Sequence, residues 1–292
     1  MNLYPLPPDL PPGRVVARLG LISDTHMPKR WPALPASVFD VLHGVGLVLH
    51  ARDVGALWVL DQLSVIAPVV AVHGNDETDE AQRELPYQQV IAIGGQRLLL
   101  CHSHFPDREA EMASRLDDAW APKLSRWAAQ ARRAGATVYV LGHLHVPFVV
   151  EHEGVWLVNP GAIASGSAFT RQTRPTVARL YLRDDGRPFV VHTDLAQPEQ
   201  PHAPAIDWPA GFTAAAGQYS ADIAHPRLRP VIAAMRASRW RYDQRLYNAL
   251  ARAGMACWLG QKAEMTVEDV KTALIDDPVF SAEERAELLR LL

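Results

Sequence analysis

Seven of the twelve histidines in this 292-residue chain fall within five short polar segments. These are Asp24-Thr25-His26, His50-Ala51-Arg52-Asp53, His73-Gly74-Asn75-Asp76, His102-Ser103-His104 and Gly142-His143-Leu144-His145. Imidazole, carboxylate and carboxamide groups in such strings can share divalent metals. Mixed nitrogen and oxygen ligation suits Mn, Fe, Ni, Co or Zn better than Ca or Mg, which favour all-oxygen shells. One D-x-H string alone says little, because polar residues at strand ends commonly cap loops. Five strings, each following an apolar run, point to one shared cleft.

The elements that must position them follow from the apolar spacing. Residues 15–23, 46–50 and 69–73 read as buried strands, separated by helical patterns at 36–43 and 55–66, the order of a βαβ arrangement. In open α/β sheets, ligands bind beyond the carboxyl ends of the strands, where these segments stand. After Pro86 the pattern turns to hairpins. Residues 87–93 and 97–101 flank the turn Gly94-Gly95, 147–158 turn at Glu153-Gly154, and 176–183 and 188–194 flank Asp184-Asp185-Gly186. Residues 107–133 read as helix, broken or kinked at Pro122, and 137–141 as a further strand. The fold class expected is α/β, with two packed sheets and helices outside.

Six prolines between Gln197 and Pro230 forbid long regular elements there, so this stretch reads as a linker or wrapping segment. Beyond it, Val231, Met235, Tyr242, Leu246 and Leu250 fall near one helical stripe with Gly254 as its stop. Thr266 and Ser281-Ala282-Glu283-Glu284 look like helix starts, the latter a capping box. The expected organisation is therefore a Pro-rich start (1–14), a catalytic domain (15–196), the Pro-rich segment (197–230) and a helical extension (231–292). Trp240, Tyr242, Tyr247 and Trp258 read as core of that extension rather than as a base-stacking platform.

Composition narrows the function classes. Hydrophobic residues at 48% and charged ones at 21% are ordinary for a globular chain and exclude a disordered or coiled-coil protein. With Lys+Arg 29 against Asp+Glu 32, the net charge of −3 gives no overall field toward nucleic acid or anionic lipid. Cys101 and Cys257 show no CxxC spacing and read as buried free thiols of a reducing compartment. The first twelve residues hold five prolines and no apolar run, unlike a signal peptide. No apolar stretch approaches the ~18 residues of a membrane span. A soluble cytoplasmic protein is expected.

In this order the segments D-x-H, Asp53 in a G-D-like turn, G-N-D, H-x-H and G-H-x-H resemble the calcineurin-like metallophosphoesterase superfamily. The resemblance is strongest to its small bacterial and archaeal phosphodiesterase branch. It spans 19–195, about two thirds of the chain, and Asn159-Pro160-Gly161-Ala162 resembles that branch's N-P-G-S segment. It implies a four-layer α/β/β/α sandwich of two mixed sheets holding two divalent transition metals, manganese first among them. Asp24, His26 and His145 would hold one ion, Asn75, His102 and His143 the other, and Asp53 would bridge them. Two ions ~3.5–4 Å apart can hold a hydroxide between them and clamp phosphoryl oxygens. Two carboxylates and one hydroxide leave such a cluster at about +1, which favours an anionic ester. A third carboxylate ligand would cancel that attraction, so Asp76 and Glu77 are expected outside the ligand set.

Several positions depart from the family pattern. Arg52 stands where relatives carry the glycine of the G-D turn; it either reaches the substrate phosphate as a bidentate donor or turns away to pair at the surface. Asp76 stands where the phosphoprotein-phosphatase branch has His and the phosphodiesterase branch commonly Cys. Asp76 or His104 would protonate the leaving oxygen, and the pull of two cations on a nearby carboxyl favours His104. Ser103 replaces the glycine of an H-G-H turn, and His73 reads as an orienting or structural residue. Arg171 and Arg174, with Asn75, are candidates for substrate contact.

The function this supports is hydrolysis of phosphodiesters in small or nucleotide-like substrates. A broad phosphomonoesterase uses the same cluster. A non-catalytic scaffold, like the retromer subunit of this fold that has lost metal ligands, is the alternative from another class. All seven ligand positions here keep competent side chains. No Lys/Arg run marks a nuclease of long chains, so the expected partner is a small phosphoester, with self-association left open.

Overall fold

The short strands carry apolar residues at odd and even positions alike, so each must be covered on both faces. The computed structural model describes residues 6–292, Asn75, His104 and Pro106 excepted, and every side chain among them but those of Arg108 and Tyr242. The chain runs β1 (Val15–Ile22), α1 (Ala36–Leu42), β2 (Leu47–His50), α2 (Trp58–Ser64), β3 (Val69–Ala71), α3 (Asp79–Glu84), β4 (Gln88–Ile93) and β5 (Gln96–Cys101). It continues through α4 (Arg108–Leu116), α5 (Trp120–Arg133), β6 (Val138–Leu141), β7 (Phe148–His152), β8 (Val155–Asn159), β9 (Thr170–Gln172), β10 (Thr176–Arg183) and β11 (Pro188–Asp194). Last come β12 (Pro201–His202), α6 (Phe212–Ala216), β13 (Ser220–Asp222), α7 (Leu228–Ala237), α8 (Gln244–Trp258), α9 (Val267–Ile275) and α10 (Ala282–Leu289).

Two compact units result. One extends to Ala164 and takes in Thr173–Tyr219; the other combines Ser165–Gln172 with Ser220–Leu292. In the first, a six-stranded sheet of order β12-β11-β10-β1-β2-β3 and a five-stranded sheet of order β4-β5-β6-β8-β7 are both mixed. Alternate residues separate the layers. Leu19, Leu21 and Leu49 from one sheet share a core with Leu98, Leu100, Val138 and Val140 from the other. Ile22 and Val48 face Val38, Leu42, Val59 and Leu63 of α1 and α2, while Leu99, Tyr139 and Leu141 face Trp127 and Ala128 of α5. This is the α/β/β/α sandwich expected, its four layers joined by three apolar interfaces. Cys101 and Cys257 are both buried and free. No helix among the described residues is long and apolar enough to cross a membrane.

The second unit pairs β9 with β13 antiparallel and adds the C-terminal helices around a core of its own. Trp240 and Trp258 are buried in that core, and the Trp258 indole N–H donates to Thr170 O at 2.9 Å. They are packing residues. Thr266 with Asp269 and Ser281 with Glu284 form capping boxes at the starts of α9 and α10.

Three local expectations are corrected. The helical run over 107–133 is two helices, and the break precedes Pro122, which sits in the first turn of α5 where no backbone N–H is required. Gly254 does not stop its helix: α8 runs on to Trp258, and a Cβ there would come within 3.1 Å of Ala168 O. The single stripe from Val231 to Leu250 is split between α7 and α8, which a 3₁₀ turn at Arg239–Tyr242 separates. Helix α3 and strand β9 had no counterpart in the periodicity, being six and three residues long.

His192 of β11 gives the sandwich a pH dependence of its own. It is 1% exposed, its Nε2–H donates to Asn159 O at 2.8 Å, and burial pushes its pKa down to about 4 from 6.5. Between those values the unfolded chain binds a proton that the folded chain refuses, so stability falls as pH drops from about 6.5 toward 4. The expected loss at this residue is about 3 kcal/mol. Urea unfolding at pH 7 and pH 4.5 checks it: the difference between the two should shrink by most of that amount in His192→Gln, and an unchanged difference would contradict the assignment.

Candidate metal centre

Strands β1, β2 and β3 run parallel side by side, as do β5 and β6, so their carboxyl ends lie level. Ile22 registers with His50 and Cys101 with Leu141. The polar segments leave these ends and are stitched together by backbone bonds: Asp24 N donates to Arg52 O and His26 N to Asp53 O, each at 2.8 Å, and Ala164 N donates to Asp24 O at 2.9 Å. Asn159 Nδ2 donates to Gly142 O at 3.1 Å, so the N-P-G-A segment anchors the G-H-x-H segment. Eight described non-glycine residues have positive φ; seven of them are Asp24, His26, Arg52, Asp53, Ser103, His143 and His145. Backbone strain of this kind concentrates where side chains must be aimed. Glycine is obligatory at two close approaches: a Cβ on Gly74 would lie 1.7 Å from Asp53 Oδ1, and one on Gly142 would lie 2.5 Å from Ala51 O.

Each carboxylate of the centre divides its two oxygens. Asp24 Oδ2 accepts from the Ser23 hydroxyl and, at 3.0 Å, from His143 N. Its Oδ1 is buried with no hydrogen-bond partner, yet Nε2 of His145, His26 and His102 stand 3.3, 3.9 and 4.0 Å away. Asp53 Oδ1 accepts from Asp76 N at 3.1 Å, and its Oδ2 lies 3.6 Å from His26 Nε2 and 3.2 Å from His102 Nε2. Ligand atoms of Asp24, His26 and His145 all lie within 4.8 Å of one another, as do those of Asp24, Asp53 and His102. Burial would raise both carboxyls, but the facing histidines, His145 for Asp24 and His102 for Asp53, hold them well below the usual range.

The imidazoles are oriented from behind. His102 Nδ1 lies 3.2 Å from Ala51 O, and His143 Nε2 lies 2.6 Å from Glu111 Oε1. A carbonyl and a carboxylate both accept, so each of these nitrogens carries the proton and the opposite nitrogen is left as a lone-pair donor. Those opposite nitrogens, His102 Nε2 and His143 Nδ1, face each other at 3.1 Å. Two lone pairs aimed at one point, beside a carboxylate oxygen with no donor of its own, are what a shared cation requires. The residues present fit a metal centre.

The remaining expected residues divide clearly. His26, His145, Asp24, Asp53, His102 and His143 are brought together; Asn75 and His104 lie outside the described residues. Asp76 Oδ2 lies 3.2 Å from His26 Nδ1, and the carboxylate is paired with Lys29 and Arg30. Burial would raise its pKa, but Arg30 and His26 hold it far down, the opposite of what a proton donor needs. Asp76 is therefore a positioning partner of His26. Glu77 accepts from the backbone N–H of Val54, Gly55 and Gly74 and braces the two loops. Arg52 keeps the positive φ of the glycine it replaces and is 0% exposed, so it does not pair at the surface. Its guanidinium stacks 4.3 Å from the Tyr87 centroid with Nη2 3.5 Å from His73 Nδ1. Arg174 pairs with Asp194 at 3.3 Å, and Arg171 belongs to β9 of the other unit.

Glu111 was not among the residues singled out from the sequence. It stands on α4, and its only local signal is the commonplace i,i+4 pair with Arg115. Glu111→Gln removes the charge that fixes the His143 tautomer and is expected to weaken binding of one metal ion about 10–100-fold, leaving the other in place. Metal titration followed by calorimetry checks this; two ions bound with unchanged affinity would show that Glu111 merely fills space.

The family model for the calcineurin-like phosphoesterase superfamily domain matches residues 18–185. A probable metallophosphoesterase of Methanothermobacter thermautotrophicus is 33% identical over 169 residues, covering 58% of this chain and 86% of the relative. A second, from Methanocaldococcus jannaschii, is 31% identical over 146 residues, covering 49% and 67% respectively. Among solved structures, vacuolar protein sorting 29 from Cryptosporidium parvum is 21% identical with a TM-score of 0.47, covering 62% of this chain and 98% of that one. With its model spanning more than half of the sequence, the chain belongs to the calcineurin-like phosphoesterase superfamily.

Proposed function

We propose that the chain is a dimetal hydrolase of small or nucleotide-like phosphodiesters. The observation that carries this reading is the placement of Asp53 Oδ2 between His26 and His102, one imidazole from each prospective ion site. Asp24, His26 and His145 would hold one ion, His102 and His143 with Asn75 the other, and Asp53 both. The mixed imidazole and carboxylate donor set favours transition metals over Ca or Mg, and the family resemblance puts manganese first among them. When bound, the two ions would supply an activated water and neutralise phosphoryl oxygens in the transition state. Both archaeal relatives bear the name probable metallophosphoesterase, which supports metal dependence and an ester of phosphoric acid as substrate.

The chain's own groups then have distinct duties. Glu111 and Ala51 O set the tautomers of His143 and His102, and Asp76 faces the rear nitrogen of His26. Asn75 would contact substrate as well as metal. His104, two residues beyond His102, would protonate the departing alkoxide. Arg52, buried next to Asp53, would add positive potential behind the site without reaching solvent.

The purified chain is expected to carry about two divalent ions, as two-metal phosphoesterase sites do. Chelation should abolish cleavage of bis-p-nitrophenyl phosphate, added Mn²⁺ should restore it, and this diester should outpace p-nitrophenyl phosphate. Including 2′,3′-cyclic nucleotides in the panel tests the nucleotide preference. Asp53→Asn should lower kcat on the order of a hundredfold or more. A chain that binds no metal and stays inert with Mn²⁺ sinks the proposal in favour of a scaffold.

A further inference from the structure

Apart from the ligand groups, the sandwich unit carries an open cleft of about 440 Å³ lined by Tyr87, Gln88, Phe105, Arg126, Gln130 and Arg133. Its lining holds two guanidiniums, two carboxamides and two aromatic rings, and no carboxylate.

Arg126 reaches it from α5. Its guanidinium lies 3.9 Å from the Phe105 centroid and donates through Nη2 to Ser103 O. Its Nε is buried without a hydrogen-bond partner. Neither Arg126 nor Arg133 makes an ion pair among the described residues. Arg126 is drawn partly out of water and feels Glu111 only at a distance, without an ion pair, so an arriving anion would compensate it further. Its planar fork matches the oxygens of a phosphate. Gln130 Nε2 donates to Gln88 Oε1 at 3.2 Å and to Cys101 Sγ at 3.5 Å, which fixes both carboxamides on the same wall.

The cleft also adjoins the centre on two sides. Ser103 directly follows the ligand His102, and Arg52, beside Asp53, stacks on the Tyr87 ring. We propose that this cleft is an anion subsite that takes a second phosphate of the substrate, carried beyond the ester that is cleaved. The place of that phosphate relative to the scissile bond rests on the hydrolytic reading; the binding of an anion here does not.

Two esters with one leaving group isolate the effect: thymidine 5′-(p-nitrophenyl phosphate) with and without a 3′-phosphate. On the full-length, metal-loaded protein, the 3′-phosphorylated ester should show a KM at least about tenfold lower, the worth of a charge-assisted contact. That ratio should collapse toward one in Arg133→Ala, whose side chain is exposed and whose loss leaves the packing of α5 intact. Arg126→Lys, which forfeits the planar fork, should reduce it also. A ratio near one in the native chain, or one preserved in both variants, overturns the subsite. Calorimetry with thymidine 3′,5′-bisphosphate against thymidine 5′-monophosphate reads the same difference without turnover. If neither ester is cleaved but the bisphosphate is preferred and Arg133→Ala abolishes the preference, the hydrolytic reading fails and the subsite stands. Equal affinities for the two nucleotides refute it.

Discussion

The division of labour within two carboxylates governs everything else at this site. Asp24 and Asp53 are buried, and a buried carboxylate is tolerated only where its oxygens find compensation. Each gives one oxygen to the protein, Asp24 to Ser23 and His143 N, Asp53 to Asp76 N. Each turns the other toward imidazole nitrogens. The backbone-bound oxygen fixes the orientation of the carboxylate plane, so the second oxygen is aimed before any ion arrives. Preorganisation of this sort is what separates a metal site from a cluster of paired polar groups.

The sheets exist at this geometry because parallel strands end level. Ile22 opposite His50 and Cys101 opposite Leu141 put the segments at one height, and the apolar core between the sheets sets their separation. The cost is borne by the loops. Arg52 and Ser103 adopt φ of 85° and 82°, in the region that favours glycine. For Arg52 the offset is visible: its guanidinium is stacked on Tyr87, and its burial fixes the loop that carries Asp53. A side chain that looked like a substrate contact in the sequence thus serves the backbone at least as much as the ligand.

What was legible in the sequence was what depends on period and residue type. Two packed sheets followed from apolar runs ending in polar segments, and the candidate ligands followed from their order. What was not legible depends on contacts between distant residues. Glu111 approaches His143 from 32 positions away on a helix whose own pattern is ordinary. Gly254 resembled a helix stop because glycine usually ends helices, but here it admits the Ala168 carbonyl against the helix surface. Pro122 resembled a break because its position within the helix, first turn or interior, is not written in the residue itself.

Asp76 and Glu77 bear on whether the centre can attract a phosphoester. With Asp24, Asp53 and Glu111 they make five carboxylates within this small region, and if all five acted on bound ions the cluster would repel an anion. Asp76 is matched by Lys29 and Arg30, and Glu77 accepts three backbone N–H groups, with burial and the nearby Asp53 pushing its pKa up to about 7. Each is thereby neutralised where it stands. Glu111 is matched by Arg115 at 2.6 Å, which would leave Asp24 and Asp53 to offset bound ions, while neutral imidazole ligands would add no charge. Through these local pairings the chain sets the net charge of its centre, and with it the sign of the field that a substrate would meet.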